Sequence, residues 1–440
     1  MINKVFTFIA LLCYSIAGYF PLQVVAQTQA IPPTAQDREW MKQLCSAAFG
    51  GRGYVDSGVN KAAAYLEQEL KKIGAECSRQ NYSFPVNTYP KSLSCVVDNQ
   101  ILKEGRDYLM EAGGGSIHGN FRLLHYNTLD SNDLFFLEQK SQNPKPHDEA
   151  IVLHHTSPRA WKKKSLPWWN IEQWPLVIFT EDKKLTHSVS TETYRGVGVI
   201  VWDSLIYEKD SIQVHADHEF VSDYPCANIM GRISGKRNDS VVVFTAHYDH
   251  LGKMGNAIFP GASDNASGTA MLLKLAAYYA KHKPVYTTYF IFFSGEEAGL
   301  QGSRYFTEHS LIPLQRIRMV VNVDIMGNAE NGITVVNAEE QSSFYKLLVE
   351  RNKTKLLLTE IKSRAQTANS DHYSFSMKQV PAVFIYSLGG KGYYHDVEDT
   401  YENLGLDHYG NVFELLVSAF PPEGKKRRPE TKRKRWLGIF

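Results

Sequence analysis

The stretch SVVVFTAHYDH (240–250) decides how the rest of the chain is read. Val241 to Ala246 are β-branched, aromatic or small, with no alternation of apolar and polar. A strand of that kind buries both faces, which is the habit of a parallel sheet covered by helices on both sides. It ends at once in His247 and Asp249. Downstream, the same arrangement recurs. A helix over Ala270–Tyr279 is followed by a strand at Tyr289–Phe293, which runs into Glu296-Glu297. A short helix near Ser303–His309 precedes a strand at Met319–Val323, which ends on Asp324. A helix near Ser342–Glu350 precedes a strand at Ala382–Tyr386, whose loop carries Tyr394-His395, and a last helix runs through Val412–Ala419. Alternating strands and helices predict an α/β fold with a largely parallel sheet.

Upstream, residues 38–74 read as helical, with Ala63, Leu66, Leu70 and Ile73 at helical spacing and Gly74 as the stop. Strand-like runs follow near Gln80–Val86 and Leu93–Val97. Residues 98–225 are richer in turns, His and Trp, with short apolar runs at Ile151–Leu153, Leu176–Phe179 and Val197–Trp202. The expected organisation is a leader (1–26), the first part of the main domain (27–97), an inserted β-rich domain (98–225), the remainder of the main domain (226–420) and a basic tail (421–440).

Composition narrows the class. In 440 residues, 43% hydrophobic content with 31 Gly and 18 Pro excludes a coiled coil, a collagen-like repeat, a disordered chain and a multi-span membrane protein. Lys4, the apolar run Val5–Phe20 and the small residues at Val24-Val25-Ala26 have the layout of a cleaved secretory signal, so a secreted or periplasmic location is expected. No stable membrane insertion is expected after cleavage. The tail KKRRPETKRKR (425–435) is strongly basic and is read as a solvated terminus. No basic patch interleaved with aromatics occurs elsewhere, so nucleic acid is not an expected partner. Beyond the leader, Cys45, Cys77, Cys95 and Cys226 show no CxxC spacing and are read as structural, with their pairing open.

In an open α/β sheet, ligands gather at the carboxyl ends of the strands. There the sequence places two His and several carboxylates, and GASDNASG (261–268) adds Asp264 just before a helix. Imidazole with carboxylate suits Zn²⁺ or a similar divalent ion. Two such ions need a bridging carboxylate, and Asp264 is the natural one, because Ala262, Ser263, Ala266 and Gly268 let the backbone approach closely. Each ion would then take one His and one further carboxylate. Asp249, two residues beyond His247, is placed to orient that imidazole. Of Glu296 and Glu297, one can bind metal while the other serves as general base.

AHYDH, GASDNASG, SGEEAGLQGS, NVDIMG, SDHYSF and YHDVEDT, in that order over residues 227–420, resemble the motifs of the M28 family of zinc exopeptidases. GRGYVDSG and FPVNTYP resemble segments of its secreted bacterial members. The resemblance implies a three-layer α/β/α sandwich around a mixed, mostly parallel sheet, two Zn²⁺ per chain, and peptide substrates with a free N-terminus. It implies His247, Asp264 and Asp324 on one zinc, and Asp264, Glu297 and His395 on the other. Glu296 would be the base, and Tyr394 would help polarise the scissile carbonyl. Asp371 and His372 match a segment assigned here to substrate binding. The stretch 98–225 sits where many members carry a protease-associated domain. The expected activity is aminopeptidase. A glutaminyl cyclase-like acyltransferase and a catalytically silent binding ectodomain are the alternatives, and dipeptidase, carboxypeptidase or aminoacylase specificity also stays open.

Overall fold

A computed structural model describes residues 28–142, 147–167 and 169–423. The expected leader (1–26) and all but the first three residues of the expected tail lie outside the described residues. Among the described residues, no helix is long and apolar enough to cross a membrane.

The main sheet has eight strands in the order Glu76–Thr88, Glu219–Ile233, Tyr286–Phe293, Arg237–His247, Ile317–Val323, Ala382–Ser387, Ile333–Val336 and Ile361–Arg364. Four neighbours, from Tyr286–Phe293 to Ala382–Ser387, run parallel. Antiparallel pairings flank them on both sides. The apolar run of Arg237–His247 is divided between two cores. Val242, Phe244 and Ala246 pack with the helices Gly58–Ile73, Gly268–Lys281 and Tyr409–Ala419. Val241 and Val243 pack with Phe306 and Phe375 of the helices Gln301–Glu308 and His372–Ser376. Burial on both faces explains why the strand shows no polar alternation, and it yields the expected three layers.

The helical stretch expected over 38–74 is interrupted. A helix at Ala35–Leu44 ends, tight turns occupy Ala47–Ser57, and a second helix runs Gly58–Ile73, stopped by left-handed Gly74. The break is built on Gly50, Gly51 and Arg52, all at positive φ. A Cβ on Gly51 would fall 2.3 Å from the Phe259 carbonyl oxygen, so this turn needs glycine to dock against its neighbour.

A second eight-stranded sheet lies within the insertion, in the order Gln100–Ile101, Ser94–Val97, Ser211–Ala216, Ile117–Asn127, Glu149–His154, Leu176–Glu181, Gly198–Trp202 and Tyr108–Met110. It begins earlier than residue 98, because Ser94–Val97 pairs with Ser211–Ala216 rather than with the main sheet. It ends earlier than residue 225, because Glu219–Ile233 already pairs along Glu76–Thr88. Four of its strands are parallel, and the helices Ser131–Ser141 and Pro158–Lys163 accompany them. The hairpin Gly252–Met254/Ala257–Phe259 belongs to the main chain path, yet Leu251, Met254 and Phe259 are buried in this second core. Cys45, Cys77, Cys95 and Cys226 are free thiols. Burial pushes the thiols of Cys45 and Cys95 up to about 12, which leaves them inert.

Candidate metal centre

The carboxyl ends of the parallel strands bring the five expected ligands together. His247 closes its strand, Asp324 follows Val323, and Glu297 follows the turn after Phe293. Asp264 sits in the turn Ala262–Ser267 ahead of the helix Gly268–Lys281. His395 arrives on the loop after Ala382–Ser387 at φ 59. The two oxygens of Asp264 face different histidines. Its Oδ1 lies 3.3 Å from His247 Nε2, and its Oδ2 lies 3.3 Å from His395 Nε2. On one side, Asp324 Oδ1 is 3.3 Å from His247 Nε2; on the other, Glu297 Oε2 is 3.1 Å from His395 Nε2.

These groups fit a metal pair on chemical grounds. His247 Nε2, Asp264 Oδ1, Asp324 Oδ1 and His395 Nε2 are buried and form no hydrogen bond with good geometry. Four converging polar atoms left in that state cost several kcal/mol unless cations complete them. Their electrostatics match. Against burial, the close contacts with His247 and His395 and charge from His250 and His247 hold the Asp264 carboxyl well below the usual range. Against burial, charge from His395 and hydrogen bonds from His250 and His395 hold Glu297 down to about 2. Both are therefore carboxylates at neutral pH.

The surrounding residues fix these ligands, and several were missed by sequence reasoning. His250 is fully buried, and its Nδ1 lies 2.7 Å from Glu297 Oε1. The Asp399 carboxylate accepts the backbone N–H groups of Ser263 and Asp264 at 2.9 and 3.1 Å. Arg52 is fully buried and donates to the carbonyls of Leu44, Tyr248, Pro260, Gly261 and Asp264. It thus ties the GRG turn to both metal motifs. The signals were present in AHYDH, YHDVEDT and GRGYVDSG, but no spacing rule assigns a tertiary partner to them. Asn265, formally a glycosylation sequon, is fully buried, and its Oδ1 accepts the Gly268 N–H at 2.9 Å, which leaves no room for a glycan.

Asp249 is placed differently from the expectation. The nearer acceptor to His247 Nδ1 is the Asp249 carbonyl at 3.2 Å, while its carboxylate Oδ1 is 3.8 Å away. That carboxylate instead accepts from Tyr54 Oη at 2.9 Å and from the N–H groups of Glu296 and Glu297 at 3.3 and 3.4 Å. It sets the turn that presents both glutamates. Glu296 offers an oxygen near His247 and Asp324. Desolvation, resisted by His247 and reinforced by Glu297, Asp371 and Asp324, holds its carboxyl well above the usual carboxylate range.

Asp371 and His372 do not occupy a substrate-facing position. Both are 0% exposed, in the wall behind the ligands. Their segment acts through Ser370, which takes a hydrogen bond from Asn322 at 2.8 Å and donates to Asp324 Oδ2 at 3.3 Å. Tyr394 is 49% exposed, with its ring stacked on His395 at 3.8 Å. It separates a small cavity of about 80 Å³ beside Asp264 from a cleft of about 520 Å³. The insertion walls that cleft, contributing Glu111, Arg159, Lys162 and His187. A strap from the insertion also reaches the metal loop. The His187 carbonyl lies 2.9 Å from His395 Nδ1, the His187 N–H donates to the His395 carbonyl at 3.3 Å, and Lys184 Nζ donates to the Gly392 carbonyl at 2.8 Å. An acceptor on Nδ1 keeps the hydrogen on that nitrogen and turns Nε2 toward Asp264 and Glu297 as the nitrogen a metal would take.

The chain is similar to known peptidases. Residues 228–420 match the model of peptidase family M28. The chain is 27% identical to aminopeptidase YwaD of Bacillus subtilis over 412 residues, covering 88% of this chain and 85% of that protein. It is 27% identical to a probable leucine aminopeptidase of Arthroderma otae over 210 residues, covering 43% of this chain and 55% of that protein. Among solved structures, a zinc aminopeptidase from Bacillus subtilis superposes with a TM-score of 0.66 at 18% identity, over 87% of this chain and 93% of that one. A peptidase M28 precursor from Shewanella amazonensis gives 0.67 at 13% identity, over 88% and 93%. At those identities the structures speak for the fold.

Proposed function

We propose, from the premise that residues 228–420 are an M28 peptidase and the chain a metallopeptidase, that the protein is a dinuclear-zinc aminopeptidase. The observation that carries the dinuclear reading is Asp264, whose two oxygens each face a different histidine and carboxylate pair. His247, Asp264 and Asp324 would hold one zinc, and Asp264, Glu297 and His395 the other. Zinc bound there supplies Lewis acidity toward water and the substrate carbonyl. The choice of aminopeptidase over other exopeptidases draws on YwaD, which carries that name and aligns along most of its length.

Within this reading the chain's own groups do the following. Glu296 is half-buried and has a carboxyl with raised proton affinity. It takes a proton from the attacking water and returns it to the leaving amine. Tyr394, exposed on the rim and stacked on His395, would donate to the oxyanion that forms from the carbonyl. Asp249 holds the glutamate turn so that Glu296 and Glu297 keep separate roles. The leader 1–26 would send the enzyme to the periplasm or outside the cell.

The test incubates the mature protein with free-amine, N-blocked and Gln-starting peptides, with and without chelator, and follows masses over time. Chelator-sensitive, stepwise loss of N-terminal residues that spares blocked peptides is the expected result. Ammonia loss confined to Gln-starting peptides would transfer the assignment to a cyclase. Glu296→Gln should abolish turnover, by about 10²-fold or more, while zinc content is unchanged. Near-normal turnover in that variant would remove Glu296 from the role of base.

A further inference from the structure

The carboxyl edge of the second sheet gathers a histidine cluster that the peptidase chemistry does not use. Ile117–Asn127, Glu149–His154, Leu176–Glu181 and Gly198–Trp202 lie side by side and parallel. His125, His154, His155, Asp182 and Asp203 stand at or just beyond their ends. His125 Nδ1 and His154 Nε2 face each other at 2.8 Å, with the rings close to parallel. The outer nitrogen of each ring is anchored. His125 Nε2 donates to the Lys209 carbonyl at 2.8 Å, and His154 Nδ1 donates to Asp203 Oδ1 at 2.6 Å. Thr180 Oγ1 also donates to that oxygen, at 2.7 Å, which fixes the carboxylate.

The Lys209 carbonyl only accepts, and Asp203 already takes a second donor, so both outer nitrogens carry hydrogen. If both rings were neutral, their inner nitrogens would be two lone pairs pointing at each other. A cation must lie between them, either a shared proton or a metal ion. An outer N–H held by a carbonyl or carboxylate is also the arrangement that orients metal-ligating histidines. A cavity of about 310 Å³ opens on the pair and is lined as well by Asp133, His155, Tyr207 and Glu208, so oxygen ligands and water can reach it. His155, Asp182 and Asp203 bring further ligand atoms within 4.8 Å of one another beside it.

We propose that His125 Nδ1 and His154 Nε2 form a site in the inserted domain for one first-row transition-metal ion, zinc or copper, separate from the peptidase centre. The ion takes the place of the shared proton, which is released to solvent. Two ligands at about 2.0–2.1 Å in tetrahedral geometry stand about 3.3 Å apart, so the facing nitrogens need to separate by only about half an ångström. Water or a carboxylate from the cavity wall completes the sphere. The site would clamp two neighbouring strands of the insertion.

The experiment counts ions per chain after the full mature protein is stripped and dialysed against Zn²⁺. His125→Ala should bind one ion fewer than the wild type, with peptide hydrolysis unchanged. In parallel, the double variant His247→Ala with His395→Ala, which strips the peptidase centre of both expected imidazole ligands, should still bind one Cu²⁺, whose electron paramagnetic resonance spectrum carries coupling from two imidazole nitrogens. Should His125→Ala fail to fold, the measurement on that double variant decides alone. Equal counts in wild type and folded His125→Ala, or a Cu²⁺ spectrum without two-nitrogen coupling, would overturn the site and leave a proton-bridged histidine pair.

Discussion

Arg52 and His250 show how single side chains hold the centre without touching substrate. Arg52 is a buried guanidinium whose donors are spent on five carbonyls from three separate stretches of chain. A carbonyl that loses its only donor in the interior costs about 1–3 kcal/mol. Arg52→Met should therefore destabilise the protein by more than about 3 kcal/mol in urea unfolding. Arg52→Lys should recover little, since one ammonium cannot span a fork-shaped set of acceptors. A loss under about 1 kcal/mol would mean that water enters and replaces the guanidinium. His250 has a narrower task, since its imidazole Nδ1 is hydrogen-bonded to Glu297. Removing such an orienting partner costs about 10–100-fold in metal affinity. His250→Ala should show that loss at one of the two proposed ions in a zinc titration. An equal weakening of both would place His250 in general packing instead.

Segments, more than residues, decide how much could be read in advance. The central strands were legible because a continuous apolar run that stops on a His or a carboxylate marks a buried strand whose end faces a polar site. The helix Gly58–Ile73 was legible from its 3.6-residue spacing and its glycine stop. The strand Ser94–Val97 lies in a different sheet from the expected one, because its sequence suits a strand equally well in either; only its pairing with Ser211–Ala216 decides. The strap at 184–190 carried no signal at all. Its working group is the His187 carbonyl, and a backbone oxygen has no sequence signature. The strap is held from below by Phe259, whose ring stacks on the His187 ring at 4.5 Å. Phe259 is almost fully buried, so Phe259→Ala should cost about 3–5 kcal/mol. It should also weaken the ion proposed at His395 more than the one proposed at His247, read by the two steps of a zinc titration. His187→Ala keeps the carbonyl and should leave the His395 step closer to the wild type. If the two variants shift that step equally, the imidazole itself, and not the main chain, is what supports the ligand.

The two sheets have separate cores, yet their contacts argue that they unfold together. Among the described residues the chain passes between them twice, after Thr88 and after Ala216, which alone would permit independent domains. Against this, each intrudes on the other. The hairpin between His247 and Asp264 sends Leu251, Met254 and Phe259 into the insertion's core. The insertion sends its strap onto the loop of His395, bridges Asn87 to Ser190 by a main-chain hydrogen bond at 2.9 Å, and pairs Arg106 with Glu398 at 2.7 Å. The proposed metal ligands thus sit where both bodies meet. A ligand bound only by the native state stabilises it by about 4 kcal/mol at a thousand times its dissociation constant. Because that binding depends on the strap, the stabilisation should be felt by both sheets. Calorimetry of the mature protein should show one main transition, and chelation should move it down as a unit without splitting it. Two transitions, with only one responding to chelator, would mean that the insertion folds alone and that the His187–His395 contact is too weak to couple them. In that case Phe259→Ala should move only one of the two, and the metal centre would depend on the main sheet's own supports, Arg52, His250 and Asp399.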